Sequence, residues 1–127
     1  MNKKICIITG ANSGIGKEAA SPIAGKGYHV ILACRNKERG EAALKDLRER
    51  NPAASLELMI VDMGIQSSVR RFAAQVTEKY DTVDVLIHNA AIFDITQKEQ
   101  KKTAEGIETI WAVNHLGPVL LTDLLLD

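Results

Sequence analysis

The first residues able to do chemistry form a glycine-rich turn, Thr9-Gly10-Ala11-Asn12-Ser13-Gly14-Ile15-Gly16, set between an apolar run and a helical pattern. Its glycines permit a tight turn and let the backbone come close to a pyrophosphate. A helix starting there offers unpaired N–H groups and the positive end of its dipole to the anion. The plainer reading is a turn that only joins strand to helix. A strand before it and a helix after it favour binding. A P-loop is excluded by counting. That motif needs Gly-x-x-x-x-Gly-Lys followed by Ser or Thr, whereas residues 11–15 put five positions between Gly10 and Gly16, and Glu18 follows Lys17.

Further polar positions follow later apolar runs: Arg35 and Asn36, then Asp62 with Met63, then Asn89-Ala90-Ala91. In an open α/β sheet the carboxyl ends of the strands are where ligands bind. Each position also has a structural reading. Arg35 could be a surface residue beside a helix cap, and Asn89 a strand-ending turn residue. Asn114 falls on the same helical face as Ile107, Ile110 and Trp111, so the pattern predicts a polar group facing inward and needing a partner. Pro118, lacking an N–H, would leave the Asn114 carbonyl without its helical bond and able to hold a water.

The elements that must position these residues are legible in the apolar pattern. Ile5–Ile8, His29–Leu32, Leu56–Val61 and Val83–Ile87 read as strands, three of them nearly continuously apolar, as when helices cover both faces of a parallel sheet. Asn36 can cap a helix running to about Arg50, with Glu41, Lys45 and Glu49 at i,i+4 spacing and Asn51-Pro52 as the stop. Val69, Phe72, Ala73, Val76 and Tyr80 share one helical face behind Ser67 or Ser68, and a last helix is expected from near Thr103. The order β-α-β-α-β-α-β-loop-α predicts a Rossmann-type α/β fold: a doubly wound parallel sheet of strand order 3-2-1-4 in three αβα layers. Pro22 should shorten the first helix, since an interior proline costs about 3 kcal/mol.

The 127 residues make one domain. Sixteen basic residues balance sixteen acidic ones, giving no electrostatic basis for a nucleic-acid or membrane-surface partner. Cys6 and Cys34 lie in apolar runs without metal-ligand spacing, which predicts free thiols and a reducing, cytoplasmic setting. No apolar run approaches the ~20 residues of a membrane span.

Together these stations resemble the short-chain dehydrogenase/reductase family. The turn is similar to its Thr-Gly-x-x-x-Gly-Ile-Gly signature, Asp62 to its acidic residue after the third strand, Asn89-Ala90-Ala91 to its Asn-Asn-Ala-Gly segment, and Val113-Asn114-His115-Leu116-Gly117 to its Asn-bearing helix. The wording around Arg35 and Trp111 most resembles retinol-dehydrogenase-like and protochlorophyllide-reductase-like members. The resemblance implies that the turn (Gly10, Asn12, Ser13, Gly14, Ile15, Gly16), Asp62, Met63, Asn89, Ala90 and Ala91 bind a dinucleotide. It also implies that Asn114 serves catalysis by holding a relay water through its main-chain carbonyl. His88, where the family often has Asn, reads as a packing variant.

NAD sites usually end the second strand on Asp or Glu, which holds the ribose 2′-hydroxyl. Here that end reads Ala33-Cys34-Arg35-Asn36. Arg35 supplies a planar cation suited to a 2′-phosphate, so NADP is expected over NAD. The family's Tyr-x-x-x-Lys pair is absent, because Leu32 and Asp84 stand four residues after Tyr28 and Tyr80. The expectation is therefore a cofactor-binding domain, residues 1–127, cut before the catalytic segment and inactive alone. Its fourth strand would be an uncovered edge unless more chain or a partner pairs with it. The whole enzyme would move hydride between nicotinamide and a small alcohol or carbonyl substrate, as a homo-oligomer joined through later helices. The rival from another class is a non-catalytic NADP(H)-binding module. A methyltransferase is disfavoured by Arg35 and by the lack of an acidic residue ending the second strand.

Overall fold

The computed structural model describes residues 3–12, 14–90, 103, 105–107 and 111–126. Four parallel strands, β1 (Lys4–Thr9), β2 (Tyr28–Cys34), β3 (Leu56–Ile60) and β4 (Val85–Ile87), lie in the order β3-β2-β1-β4. The register pairs Cys6 with Val30 and with Val85, and Val30 with Leu56, which aligns the carboxyl ends of β1, β2 and β4 beside one another. Helices α1 (Gly14–Gly25), α2 (Lys37–Arg50) and α3 (Gln66–Lys79) are the crossovers, and α4 (Gly117–Leu125) follows a π-helical turn at Ala112–Leu116.

The period-2 alternation of the central strands sorts two cores. Ile5, Ile7, Ile31 and Ala33 face α3 and α4, packing with Val69, Phe72, Val76 and Leu121. Cys6, Ile8, Val30, Leu32 and Cys34 face the other way, onto Ala20 and Ala24 of α1 and Leu47 of α2. The continuously apolar strands are thus covered on both faces, and the three-layer expectation holds.

Asn36 caps α2 as its type predicts, its Oδ1 accepting from the Arg39 N–H at 2.9 Å. The i,i+4 ion pairs on α2 are Lys37–Glu41 and Asp46–Arg50, and not those through Lys45. Pro22 does not end α1, which continues to Gly25. Ser67 and Ser68 do not cap α3. Glu105 takes that place from a distant loop, its carboxylate accepting from the Gln66 and Ser67 N–H groups at 2.5 and 3.3 Å. Ser68 instead accepts from the Asp62 N–H at 2.8 Å.

The expected last helix departs most from the reading. A tight turn is closed by the Thr103 N–H on the Ile107 carbonyl and the Gly106 N–H on the Thr103 carbonyl, and Gly106 adopts φ 79, a left-handed backbone that no helix passes through. Helix is described only from residue 111 onward. There the Gly117 N–H bonds the Ala112 carbonyl five residues back, and this wider turn shifts the angular positions that a 3.6-residue period assumes. Trp111, which precedes this turn, is half exposed, at 52%, and stacks on His115 with ring centroids 4.4 Å apart. Asn114 is exposed too, so the inward face predicted for both is corrected, while Ile110 lies outside the described residues. No helix among the described residues is long and apolar enough to cross a membrane.

Candidate functional site

At the carboxyl end of β1 the chain turns on Gly10, whose N–H still donates to the Ala33 carbonyl of β2 at 2.8 Å. Thr9, the last β1 residue, is 1% exposed and ties β1 to β4. Its hydroxyl oxygen accepts from the Asn89 and Ala90 N–H groups, both at 3.0 Å, and its proton faces the Ile87 carbonyl at 3.4 Å. Asn89 returns the link, its Nδ2 donating to the Gly10 carbonyl at 3.1 Å. The divergence of β1 and β4 is therefore cross-bolted by polar groups where their ladder ends.

The glycines make this possible. Gly10 has φ 64 and sits so close to Ala90 that a β-carbon would lie 2.8 Å from its Cα. A β-carbon on Gly16, in the first turn of α1, would collide with the Asn89 carboxamide. Gly14 differs: it has φ 60, yet nothing stands within 4 Å of where its β-carbon would point. That side of the turn is open, directly before the N–H groups of α1.

The opening belongs to a cleft of about 380 Å³. Of the positions singled out in the sequence, Gly10, Asn12, Gly14, Ile15, Arg35, Asp62, Met63, Asn89 and Ala90 line it together. Gly16 is buried beneath it, and Asn36 is occupied as the cap of α2. Ser13 and Ala91 lie outside the described residues. Asn114 does not line the cleft; its neighbour Val113 does. Sequence reasoning gave no role of their own to Thr9, Ala33, Val61 and Val113, although Thr9 stands at the head of the turn. A threonine ending an otherwise apolar strand was a readable sign for the first, because a buried hydroxyl there must be bonded.

The charges are arranged across the cleft mouth. Arg35, at the end of β2, has its side chain 76% exposed, and its Nε lies 3.4 Å from Oδ2 of Asp62. The other Asp62 oxygen accepts from the Gly64 N–H at 2.9 Å. Behind Arg35, burial pushes the Cys34 thiol up to about 11, against a backbone hydrogen bond with Ala11 that lowers it, so this sulfur stays protonated. His88 bonds Thr122 through Nε2 at 2.7 Å. The Thr122 hydroxyl already donates to the Pro118 carbonyl, so His88 is the donor. Desolvation lowers its pKa, although its surface is exposed.

A larger hollow of about 580 Å³ lies at the amino ends of the strands, around His29, Ser55 and Tyr80. Volume does not select it. Parallel sheets bind ligands at the carboxyl ends, where strand order reverses, and only the smaller cleft has the glycine turn and a helix N-terminus. Among the described residues no cluster of His, Cys, Asp and Glu could hold a metal ion.

Comparison with known proteins gives matches along nearly the whole chain. The short chain dehydrogenase family model matches residues 4–127. Human retinol dehydrogenase 13 is 43% identical over 124 residues, covering 98% of this chain and 37% of that protein. The chloroplastic protochlorophyllide reductase of Chlamydomonas reinhardtii is 41% identical over 126 residues, covering 98% of this chain and 31% of that protein. The chain thus spans about a third of the length of these relatives. A short chain dehydrogenase of Shigella flexneri 2a, solved in complex with NADP, superposes with a TM-score of 0.79 at 26% identity, over 99% of this chain and 53% of that one.

Proposed function

Because this chain belongs to the short-chain dehydrogenase family, we propose that it is the NADP-binding part of an oxidoreductase that moves hydride between nicotinamide and an alcohol or carbonyl. The single observation that carries the proposal is the open face of Gly14 before the α1 N-terminus, in one cleft with Arg35 and Asn89. The groups present fit a dinucleotide. The left-handed turn at Gly10 and Gly14 clears room for a pyrophosphate, and the α1 N–H groups and dipole hold its charge.

Arg35 takes the 2′-phosphate, and no carboxylate ends β2 to bind a bare 2′-hydroxyl. Asp62 and Met63 flank the adenine, while Asn89 and Ala90 line the inner ribose. Asn36 serves the site indirectly, by fixing the start of α2 beside Arg35. When bound, the cofactor supplies the hydride chemistry; the residues here bind and orient it. Asn114 is assigned the relay-water role through its main-chain carbonyl, on a π-helical turn one residue from the cleft-lining Val113.

The sequence contains no Tyr-x-x-x-Lys, so these 127 residues are proposed to bind cofactor without turning over substrate. Fluorescence titration with NADPH, beside NADH and S-adenosylmethionine, tests the assignment. Selective binding of NADPH is expected. Preference for S-adenosylmethionine, or indifference between the two nicotinamide cofactors, overturns it.

A further inference from the structure

Arg35 is the most solvent-exposed charged group of the cleft, and an exposed arginine spreads over many rotamers unless something selects one. Asp62 is placed to do so. Its main chain is fixed by the Ser68 hydroxyl at 2.8 Å, and its Oδ1 by the Gly64 N–H at 2.9 Å. With one oxygen so held, Oδ2 is aimed at Arg35, where it lies 3.4 Å from the inner nitrogen Nε.

We propose that Asp62 is a positioning residue for cofactor selectivity: it grips Arg35 by Nε and turns the terminal nitrogens toward the 2′-phosphate. This rests on the NADP reading above and adds to it a second function for Asp62 besides flanking the adenine. Guanidinium has separate donor edges, so one carboxylate on Nε leaves the paired terminal N–H groups for a bidentate oxyanion. The carboxylate then lies behind the cation as seen from the phosphate, and the guanidinium stands between the two negative charges. An ion pair this exposed adds little to folding stability. Its consequence falls on orientation, and hence on the difference between NADPH and NADH.

NADPH and NADH are titrated against the unaltered chain, Asp62→Asn, Arg35→Ala and the double variant, with thermal melts alongside. Asparagine keeps an oxygen for the Gly64 N–H and removes the charge on Nε. Asp62→Asn is expected to weaken NADPH by about fivefold more than it weakens NADH, the scale of one charge-assisted contact. The double variant should lose no more selectivity than Arg35→Ala alone. Arg35→Lys, which keeps the charge but has no Nε to grip, should lose selectivity comparably.

Equal weakening of both cofactors by Asp62→Asn means Asp62 acts on the adenine alone and overturns the proposal. So does tighter NADPH binding, which would show repulsion of the phosphate to dominate. Full selectivity in Arg35→Lys overturns it independently, should Asp62→Asn fail to fold. An unaltered chain that does not prefer NADPH defeats the NADP reading itself, a result distinct from any of these.

Discussion

The carboxamide of Asn89 lies where a side chain on Gly16 would go, and its Nδ2 reaches past that position to the Gly10 carbonyl at 3.1 Å. The first turn of α1 and the end of β4 are thus fitted to each other across the mouth of the cleft. Gly16→Ala must displace Asn89 or the turn. It is expected to cost about 1–3 kcal/mol of stability, the range for overpacking a close contact, and to weaken dinucleotide binding at least as much as Arg35→Ala does. Thermal melts and NADPH titration on the same sample measure both effects.

Thr9 holds the same junction from beneath. Replacing it with valine keeps the shape but leaves the Asn89 and Ala90 N–H groups without their acceptor. The expected loss is about 1–3 kcal/mol, because partly buried donors left without an acceptor keep much of their desolvation cost. Thr9→Ser should restore most of it. Urea unfolding of the three proteins checks the order.

At the far end of the sheet, Glu57 is bonded by His29 at 2.9 Å and also by Lys79 and Tyr80. Burial would raise its pKa, but those three hydrogen bonds and the Lys79 charge outweigh burial and hold it at about 2. A carboxyl depressed on folding stabilises the fold above its unfolded pKa, and that stability is lost as pH falls through the folded value. Stability should therefore decline between roughly pH 4.5 and 2, and Glu57→Gln should flatten that limb at a cost on the order of 2 kcal/mol at neutral pH. Melting temperature against pH for the two proteins decides it. The same acid sensitivity in Glu57→Gln would assign the limb to other groups.

Cys6 and Cys34 are both buried, and burial raises both thiol pKa values, Cys34 to about 11. Thiolate is the reactive form, so iodoacetamide at pH 8 should leave the folded chain unmodified and label both residues in denaturant. Intact mass before and after unfolding reads the result directly. Cys34 labelled in the folded chain would show that the β2 end opens.

Most of the fold was legible because its strands are covered on both faces, so the sequence around Ile7 and Ile31 is apolar without interruption. The phosphate turn was legible for a different reason: only glycine satisfies the backbone at Gly10 and the contact at Gly16, and such constraints show in residue type. Contacts across long sequence separation were not. That Glu105 caps α3, 39 residues from Gln66, has no local signature, and serines at 67 and 68 offered a false one. Trp111 was misplaced because a tight turn stands at 103–107 where a helix was assumed, and Asn114 because a π-helical turn has a longer period than that helix. The Arg35–Asp62 pair joins the ends of different strands and was read as two separate contacts with one ligand.

The most direct test of the central claim is a calorimetric titration of 2′,5′-ADP against 5′-AMP, with Arg35→Ala as the second protein. These ligands differ only by the 2′-phosphate. The unaltered chain should bind 2′,5′-ADP tighter by about tenfold or more, as one strong charge-assisted phosphate contact warrants, and Arg35→Ala should bind the two nearly alike. Equal affinity of the unaltered chain for both ligands would contradict the assignment of this cleft to NADP.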